Sequence, residues 1–175
     1  MFEIKPLTDI PPVRRQLSSL LIDTVANGGS VSFMHPLSPE AADAFWLDAL
    51  AAAAAGKRLI LGAFEGESLI ATVTLLLDCP PNQPHQPHRA EIAKLMTAIG
   101  HRGQGVARAL MIEAEHQAAA RGRTLLVLDT ATDGGASRLY EGLGYQYAGT
   151  IPDYALKPHG GLTGTMLYWK RLVAP

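Results

Sequence analysis

The chain is short of cysteine, of aromatic residues and of net charge. Among its 175 residues Cys79 is the single cysteine, which excludes an internal disulfide framework and a self-contained thiolate metal site. A reducing compartment fits, and the cytoplasm is the expected location. Fifteen Lys and Arg stand against 16 Asp and Glu, a formal charge of -1, so no net positive field exists to hold a phosphate polymer or an anionic membrane. Neither nucleic acid nor a membrane is an expected partner. The longest apolar stretch near the middle, Ala49 to Ala55, falls far short of the ~20 residues a membrane-crossing helix needs. Met1 to Asp9 carries Glu3, Lys5 and Asp9 and lacks the basic-then-apolar order of a signal peptide, so export by that route is not expected.

What the sequence does have is a core. With 47% hydrophobic residues it can pack one domain, taken as residues 1–175. Phe2 to Pro6 predicts a short strand. Val13 to Ala26, apolar at Val13, Leu17, Leu20, Leu21 and Val25, predicts a helix stopped by Asn27-Gly28-Gly29. Ser38-Pro39-Glu40 combines a capping hydroxyl, a first-turn proline and an early acid, and opens an alanine-rich helix reaching about Ala55. Arg58 to Phe64 and Leu69 to Leu77 flank Glu65-Gly66-Glu67-Ser68 as a hairpin. Cys79 to His88, rich in proline, is a loop. Glu91 to Ile99 reads as a buried strand feeding a glycine turn and a helix from Gly103 to Arg121. Thr124 to Leu128 is a strand, Ala136 to Glu141 a short helix, and Tyr145 to Ile151 and Gly164 to Leu172 two last strands. The order defines an α/β (α+β) class with a sheet flanked by helices.

The segment with most chemistry is the strand, glycine turn and helix around Arg102 to Ala107. Free N–H groups at a helix N-terminus, with about half a positive charge from the macrodipole, make an anion site, and Gly103 and Gly105 let a phosphate approach the main chain. Two nucleotide fingerprints are excluded. Arg108 stands where a dinucleotide loop wants a third small residue, and the Gly-Lys-Ser/Thr of a Walker loop is missing. On this segment alone the glycines serve equally well as caps of a tight strand-to-helix turn.

Arg102-Gly103-Gln104-Gly105-Val106-Ala107 resembles the acetyl-CoA pyrophosphate loop, Gln/Arg-x-x-Gly-x-Gly/Ala, of the GNAT N-acetyltransferases. A second segment agrees: Ala136-Ser137-Arg138-Leu139-Tyr140-Glu141-Gly142-Leu143-Gly144-Tyr145 is similar to that family's helix-turn-strand with its tyrosine. Arg89 to Met96, Leu128-Asp129-Thr130 and Gly28 to Met34 most resemble the tabtoxin-resistance group, whose substrate is a small β-lactam amino acid. The resemblance implies one GNAT-like domain, a mixed sheet of about seven strands splayed between strands 4 and 5, and about four helices. It implies acetyl-CoA as co-substrate, no metal, a small-molecule amine as partner, and a monomer or homodimer.

Acetyl transfer needs a base, because a primary amine is protonated near neutral pH. The resemblance assigns that role, directly or through water, to Glu91 and Asp129; read from the residues alone, each is as well explained as a strand-end carboxylate pairing with Arg89 or Lys94. The resemblance also assigns main-chain contacts with the pantetheine arm to Leu95, Met96 and Thr97, the N–H of Met96 nearest the thioester carbonyl. Tyr140 is the candidate to return a proton to the departing thiolate, and Ser137, on the same short helix, is a candidate cofactor contact by the resemblance. Asp133 stands where the family often has a pantetheine-binding asparagine. Phe33, Met34, His35 and Trp46 are placed by the resemblance at the acceptor site, with Tyr154 and His159, read as a loop between the last strands, on the opposite wall. Phe33 and Trp46 are equally well read as core. His85 and His88 sit among prolines with no third ligand nearby and read as solvated; Cys79 before Pro80 has no histidine partner and reads as a packed thiol. A peptide N-terminal acetyltransferase, with an open groove, an acyl-CoA-binding sensor without turnover and an NAD-dependent oxidoreductase are the competing functions.

Overall fold

The computed structural model describes residues 1–78 and 85–173, so Cys79 and Pro80 lie outside the described residues. In chain order the elements are β1 (Glu3–Pro6), α1 (Pro11–Ala26), α2 (Pro39–Ala54), β2 (Arg58–Glu65), β3 (Ser68–Leu76), β4 (Arg89–Thr97), a 3-10 turn (Ile99–His101), α3 (Val106–Ala120), β5 (Leu125–Ala131), α4 (Ser137–Gly142), β6 (Gln146–Leu156) and β7 (Leu162–Arg171). Pro11 and Pro12 occupy the first turn of α1, where a missing N–H breaks no helical bond, and Gly28, at φ 84°, follows its end. Ser38 Oγ accepts from Ala41 N at 3.1 Å and caps α2. Ser38→Ala is expected to cost about 1 kcal/mol, read as a lower urea midpoint at unchanged slope.

The strands form one seven-stranded sheet in the order β1-β2-β3-β4-β5-β7-β6. Neighbours are antiparallel except β4 and β5, which are parallel. Each face carries its own core. On one, Leu17, Leu21 and Val25 of α1 and Trp46 and Leu50 of α2 pack with Ile60, Phe64 and Met96. On the other, Leu110, Met111 and Ala114 of α3 and Tyr140 of α4 pack with Val73, Ala90, Leu126 and Leu128. Each fully buried Leu contributes about 1.5–3 kcal/mol, so each face holds its helix pair without help from propensity.

Two irregularities open the middle of the sheet and shape its chemistry. Pairing between β4 and β5 covers Arg89–Leu125, Ala90–Leu126 and Glu91–Val127 and then stops, although both strands continue. The sheet therefore splays open at this point. The register of β4 against β3 also shifts, Thr74 facing Ala93 but Thr72 facing Met96, so Lys94 and Leu95 share one place opposite Val73. Lys94 takes up the extra residue with φ 52°. Ile92 and Met96, four apart, would share a face in a regular strand; across this bulge they belong to opposite cores.

Several boundaries differ from the sequence reading. β4 ends at Thr97 rather than Ile99, because the chain turns into the 3-10 turn. α3 begins at Val106 rather than Gly103, since Gly103 and Gly105 sit at φ 74° and 81°, outside helical geometry. β5 runs on to Ala131 through its pairing with β7, which places Asp129 inside the strand. β6 extends to Leu156, so Tyr154 lies in a bulged edge strand and His159 alone of that pair in the turn.

Candidate active site

Between β4 and α3 the chain passes through Arg102-Gly103-Gln104-Gly105. A Cβ added at Gly103 or Gly105 would meet nothing within 4 Å, so the glycines are required by backbone conformation, not by protein crowding, and the space outside them is open. No side chain caps α3, whose N-cap is Gly105, leaving the first-turn N–H groups of Val106, Ala107 and Arg108 facing that space. Gln104 Nε2 donates to Gly100 O at 3.0 Å and Arg102 Nε to Thr97 O at 3.3 Å, tying the loop to the end of β4. This cradle fits a pyrophosphate: a helix N-terminus of one 15-residue helix, open glycine backbone and the Arg102 cation at its rim.

From the cradle the gap between β4 and β5 leads inward. Ala98 N donates to Ile70 O at 2.8 Å, and alternation along the antiparallel ladder then turns the Met96 main-chain groups toward Thr72. Those of Leu95 and Thr97, one residue either side, turn into the gap. Of the N–H groups expected along the pantetheine arm, those of Leu95 and Thr97 thus face the gap, whereas that of Met96 faces β3 and its side chain is buried against α1 and α2.

The acids lie on one face of this gap. Ala90, Ile92, Leu126 and Leu128 all belong to the α3 side, so alternation puts Glu91 and Asp129 on the side covered by α1 and α2. Glu91 is engaged by Arg89 Nη1 at 3.4 Å. Asp129 is exposed and, among the described residues, accepts one side-chain hydrogen bond, from the buried Thr165 hydroxyl at 2.8 Å. Tyr140 reaches the gap from the other face, packed 6.0 Å from the rings of both Tyr145 and Tyr168. Burial, then the charge of Asp129, pushes its phenol up to about 12. Asp129 thus acts electrostatically on Tyr140 on one side and on Lys94 on the other.

Lys94 is a site residue that the sequence does not single out. Its Nζ donates to Ser32 Oγ at 3.2 Å and lies 5.7 Å from the Phe45 ring centre. Burial lowers its proton affinity, with Asp129 opposing and Arg58 reinforcing the shift. The bulge that aims it here has no sequence signature except the broken alternation of Ile92 and Met96.

The acceptor wall is assembled only in part as expected. His35 and His159 stack with ring centres 4.4 Å apart; His35 N donates to Pro158 O at 2.8 Å, and His159 Nε2 donates to Ala26 O at 2.9 Å. The α1–α2 connection is thereby latched to the β6–β7 turn. Phe33 packs edge-on to Phe45 at 5.1 Å, and Met34 is exposed. Trp46 is 0% exposed within the core, its position on α2 facing inward to the cluster of Leu17 and Leu50. Tyr154 is exposed on edge strand β6. A cleft of about 410 Å³ along α1 and Ala98 is lined by Arg15, Gln16, Ser19 and Asp23, which carry no motif in the sequence, and by none of the residues expected at the acceptor site.

Asp133 accepts from Thr163 Oγ1 at 3.0 Å and sits 3.4 Å from Lys157 Nζ. The Thr163 bond and then Lys157 hold its carboxyl below the usual carboxylate value, despite the opposing effect of desolvation. Both partners lie in the β6–β7 hairpin, which ties the exposed Asp133 side chain to it. Ser137 is half-buried at the start of α4. His85 and His88 are exposed. Among the described residues no group of three His, Cys, Asp or Glu could hold a metal ion, and no helix is long and apolar enough to cross a membrane.

A parallel strand pair parting in front of a glycine cradle, with carboxylates on one side and a phenol on the other, defines an acyltransferase site. The family model for the acetyltransferase (GNAT) family matches residues 24–145, more than half of the chain. The chain belongs to the GNAT family and is an N-acetyltransferase. Solved structures share its fold. An N-acetyltransferase from Staphylococcus aureus Mu50 superposes with a TM-score of 0.81 at 17% identity, over 99% of each chain. A ribosomal-protein-alanine N-acetyltransferase from Brucella melitensis gives 0.78 at 20%, over 97% of this chain and 99% of that one. A phosphinothricin acetyltransferase from Sinorhizobium meliloti, solved in complex with acetyl-CoA, gives 0.77 at 16%, over 97% and 88%.

Proposed function

We propose that this protein transfers acetyl from acetyl-CoA to the primary amine of a small molecule, by direct attack in a ternary complex and without an acyl-enzyme. The observation that carries the reading is the splay of β4 from β5 in line with the glycine cradle, which gives one continuous path from pyrophosphate to acids. The Sinorhizobium relative's acetyl-CoA supports the choice of co-substrate. When bound, that co-substrate supplies an activated acetyl group. Asp129, with Glu91 behind it, takes the acceptor's proton; the Leu95 N–H donates to the oxygen on which charge develops; Tyr140 donates a hydrogen bond toward sulfur. The reading extends to a cytoplasmic enzyme of the tabtoxin-resistance type, acting on an amino-acid-like or toxin-like amine, as monomer or homodimer.

The latch of His35 and His159 favours a small acceptor over a peptide, because it bridges the space that an extended chain would cross. Calorimetry with acetyl-CoA is expected to show saturable binding, and a panel of small amines to release free thiol. Gly105→Val forces a branched side chain into φ 81° and is expected to weaken binding by about 5- to 30-fold, the equivalent of about 1–2 kcal/mol of left-handed strain. Binding without thiol release from any amine would leave a sensor instead of an enzyme.

A further inference from the structure

Among the described residues three non-glycine residues have positive φ: Ser32 at 73°, Lys94 at 52° and Asp153 at 52°. Two of them touch, Lys94 Nζ donating to Ser32 Oγ at 3.2 Å. Side-chain-bearing residues hold such backbone only where the surroundings impose it, and such positions concentrate at ligand sites. Lys94 is half-buried, as Lys170 is, but differs from it in partners. Lys170 closes on Glu115 Oε2 and Leu143 O, both at 2.7 Å, whereas the Lys94 ammonium makes no ion pair among the described residues. An ammonium has three donors; among the described residues a single neutral hydroxyl is its side-chain hydrogen-bond partner, with Nζ over the Phe45 ring. It stands on the α1–α2 side of the sheet, within the electrostatic reach of Asp129, and away from the cradle, which has Arg102 and the α3 N-terminus for phosphate.

We propose that Lys94 and Ser32 form the subsite for an anionic group on the acceptor, so that the preferred substrate is a zwitterion. Its amine faces Asp129 while its carboxylate, or another oxyanion close by in the same small molecule, meets Lys94. This rests on the acetyl-transfer reading of the site and adds to it the charge that the acceptor carries. An acceptor with its amine at Asp129 and no anionic group would leave the Lys94 donors unused; an anion at Lys94 engages them and offsets the repulsion between Lys94 and Arg58.

The test pairs each of a panel of amino acids with its own amide and follows thiol release from acetyl-CoA. The wild-type protein is expected to favour acids over amides, mainly through KM. Lys94→Met is expected to lower the acid-to-amide ratio of kcat/KM by about 10- to 100-fold, the factor for one lost charge-assisted hydrogen bond. Lys94→Arg should recover part of that ratio, and Ser32→Ala should reduce it less. Melting curves and acetyl-CoA calorimetry on the same variants separate misfolding from lost recognition. A Lys94→Met variant that slows acid and amide by the same factor overturns the subsite, as does a wild-type preference for amides. If wild type binds acetyl-CoA but releases thiol with no amine, the acetyl-transfer reading itself fails and the subsite falls with it.

Discussion

Asp129→Asn is expected to lower kcat by about 10²- to 10⁴-fold at pH 7 while leaving acetyl-CoA affinity near its wild-type value. The reason is the acceptor's proton. An alkylamine of pKa about 10 is neutral in only about one molecule per thousand at pH 7, a deficit of about 4 kcal/mol that a positioned base offsets. Asp129 has the geometry for it: exposed toward the α1–α2 side, within the splay, and oriented by the hydrogen bond from Thr165. Asparagine keeps an oxygen for that bond, so the scaffold is retained and only basicity is removed. The defect should shrink as pH rises toward the amine's own pKa, since solvent then supplies the neutral amine. Glu91→Gln is expected to do less, because Glu91 is already engaged by Arg89. A full kcat for Asp129→Asn at pH 7, with its pH profile unchanged, would place the base elsewhere.

Much of this arrangement is legible from residue order. Ser38-Pro39, Gly66-Glu67 and Asn27-Gly28 mark turns and caps by local chemistry, and the structure uses each of them so. The glycine cradle is legible for the same reason: Gly103 and Gly105 are needed for positive φ whatever the rest of the chain does. What the sequence hides is set by non-local pairing. The ends of β5 and β6 are fixed by β7, a strand lying far along the chain, and so Asp129 and Tyr154 prove to be strand residues. The bulge at Lys94 is a mismatch between β3 and β4, which only the two strands together determine; it redirects Lys94 to Ser32 and decides which main-chain groups enter the gap. Trp46 is ambiguous between wall and core in the sequence because an alanine-rich helix gives weak facing information, and contact with α1 settles it as core.

Tyr140→Phe is expected to lower kcat by about 10²- to 10³-fold, with acetyl-CoA affinity nearly unchanged, the loss typical of one preorganised donor to developing charge. The size of the effect distinguishes two roles for the phenol. Buried beside Asp129, it is pushed up to about 12, whereas an ordinary thiol titrates near 8.5, so complete proton transfer to the departing sulfur is uphill by about 5 kcal/mol. Tyr140 is therefore expected to serve as a neutral hydrogen-bond donor that lowers the charge on sulfur as the bond breaks, rather than as an acid that gives up its proton. The proton that neutralises the thiolate is then expected from the acceptor's own ammonium, by way of Asp129 or solvent. Two measurements check this role. No Tyr140-dependent alkaline limb should enter the kcat profile below about pH 11, one unit under the raised value, and Tyr140→Phe should leave the shape of the profile there intact. An acetyl thioester with a more acidic leaving thiol should also narrow the gap between Tyr140→Phe and wild type, because a better leaving group has less charge to stabilise. A gap that stays constant across leaving thiols would remove Tyr140 from the bond-breaking step and leave its ring as packing between α4 and the sheet.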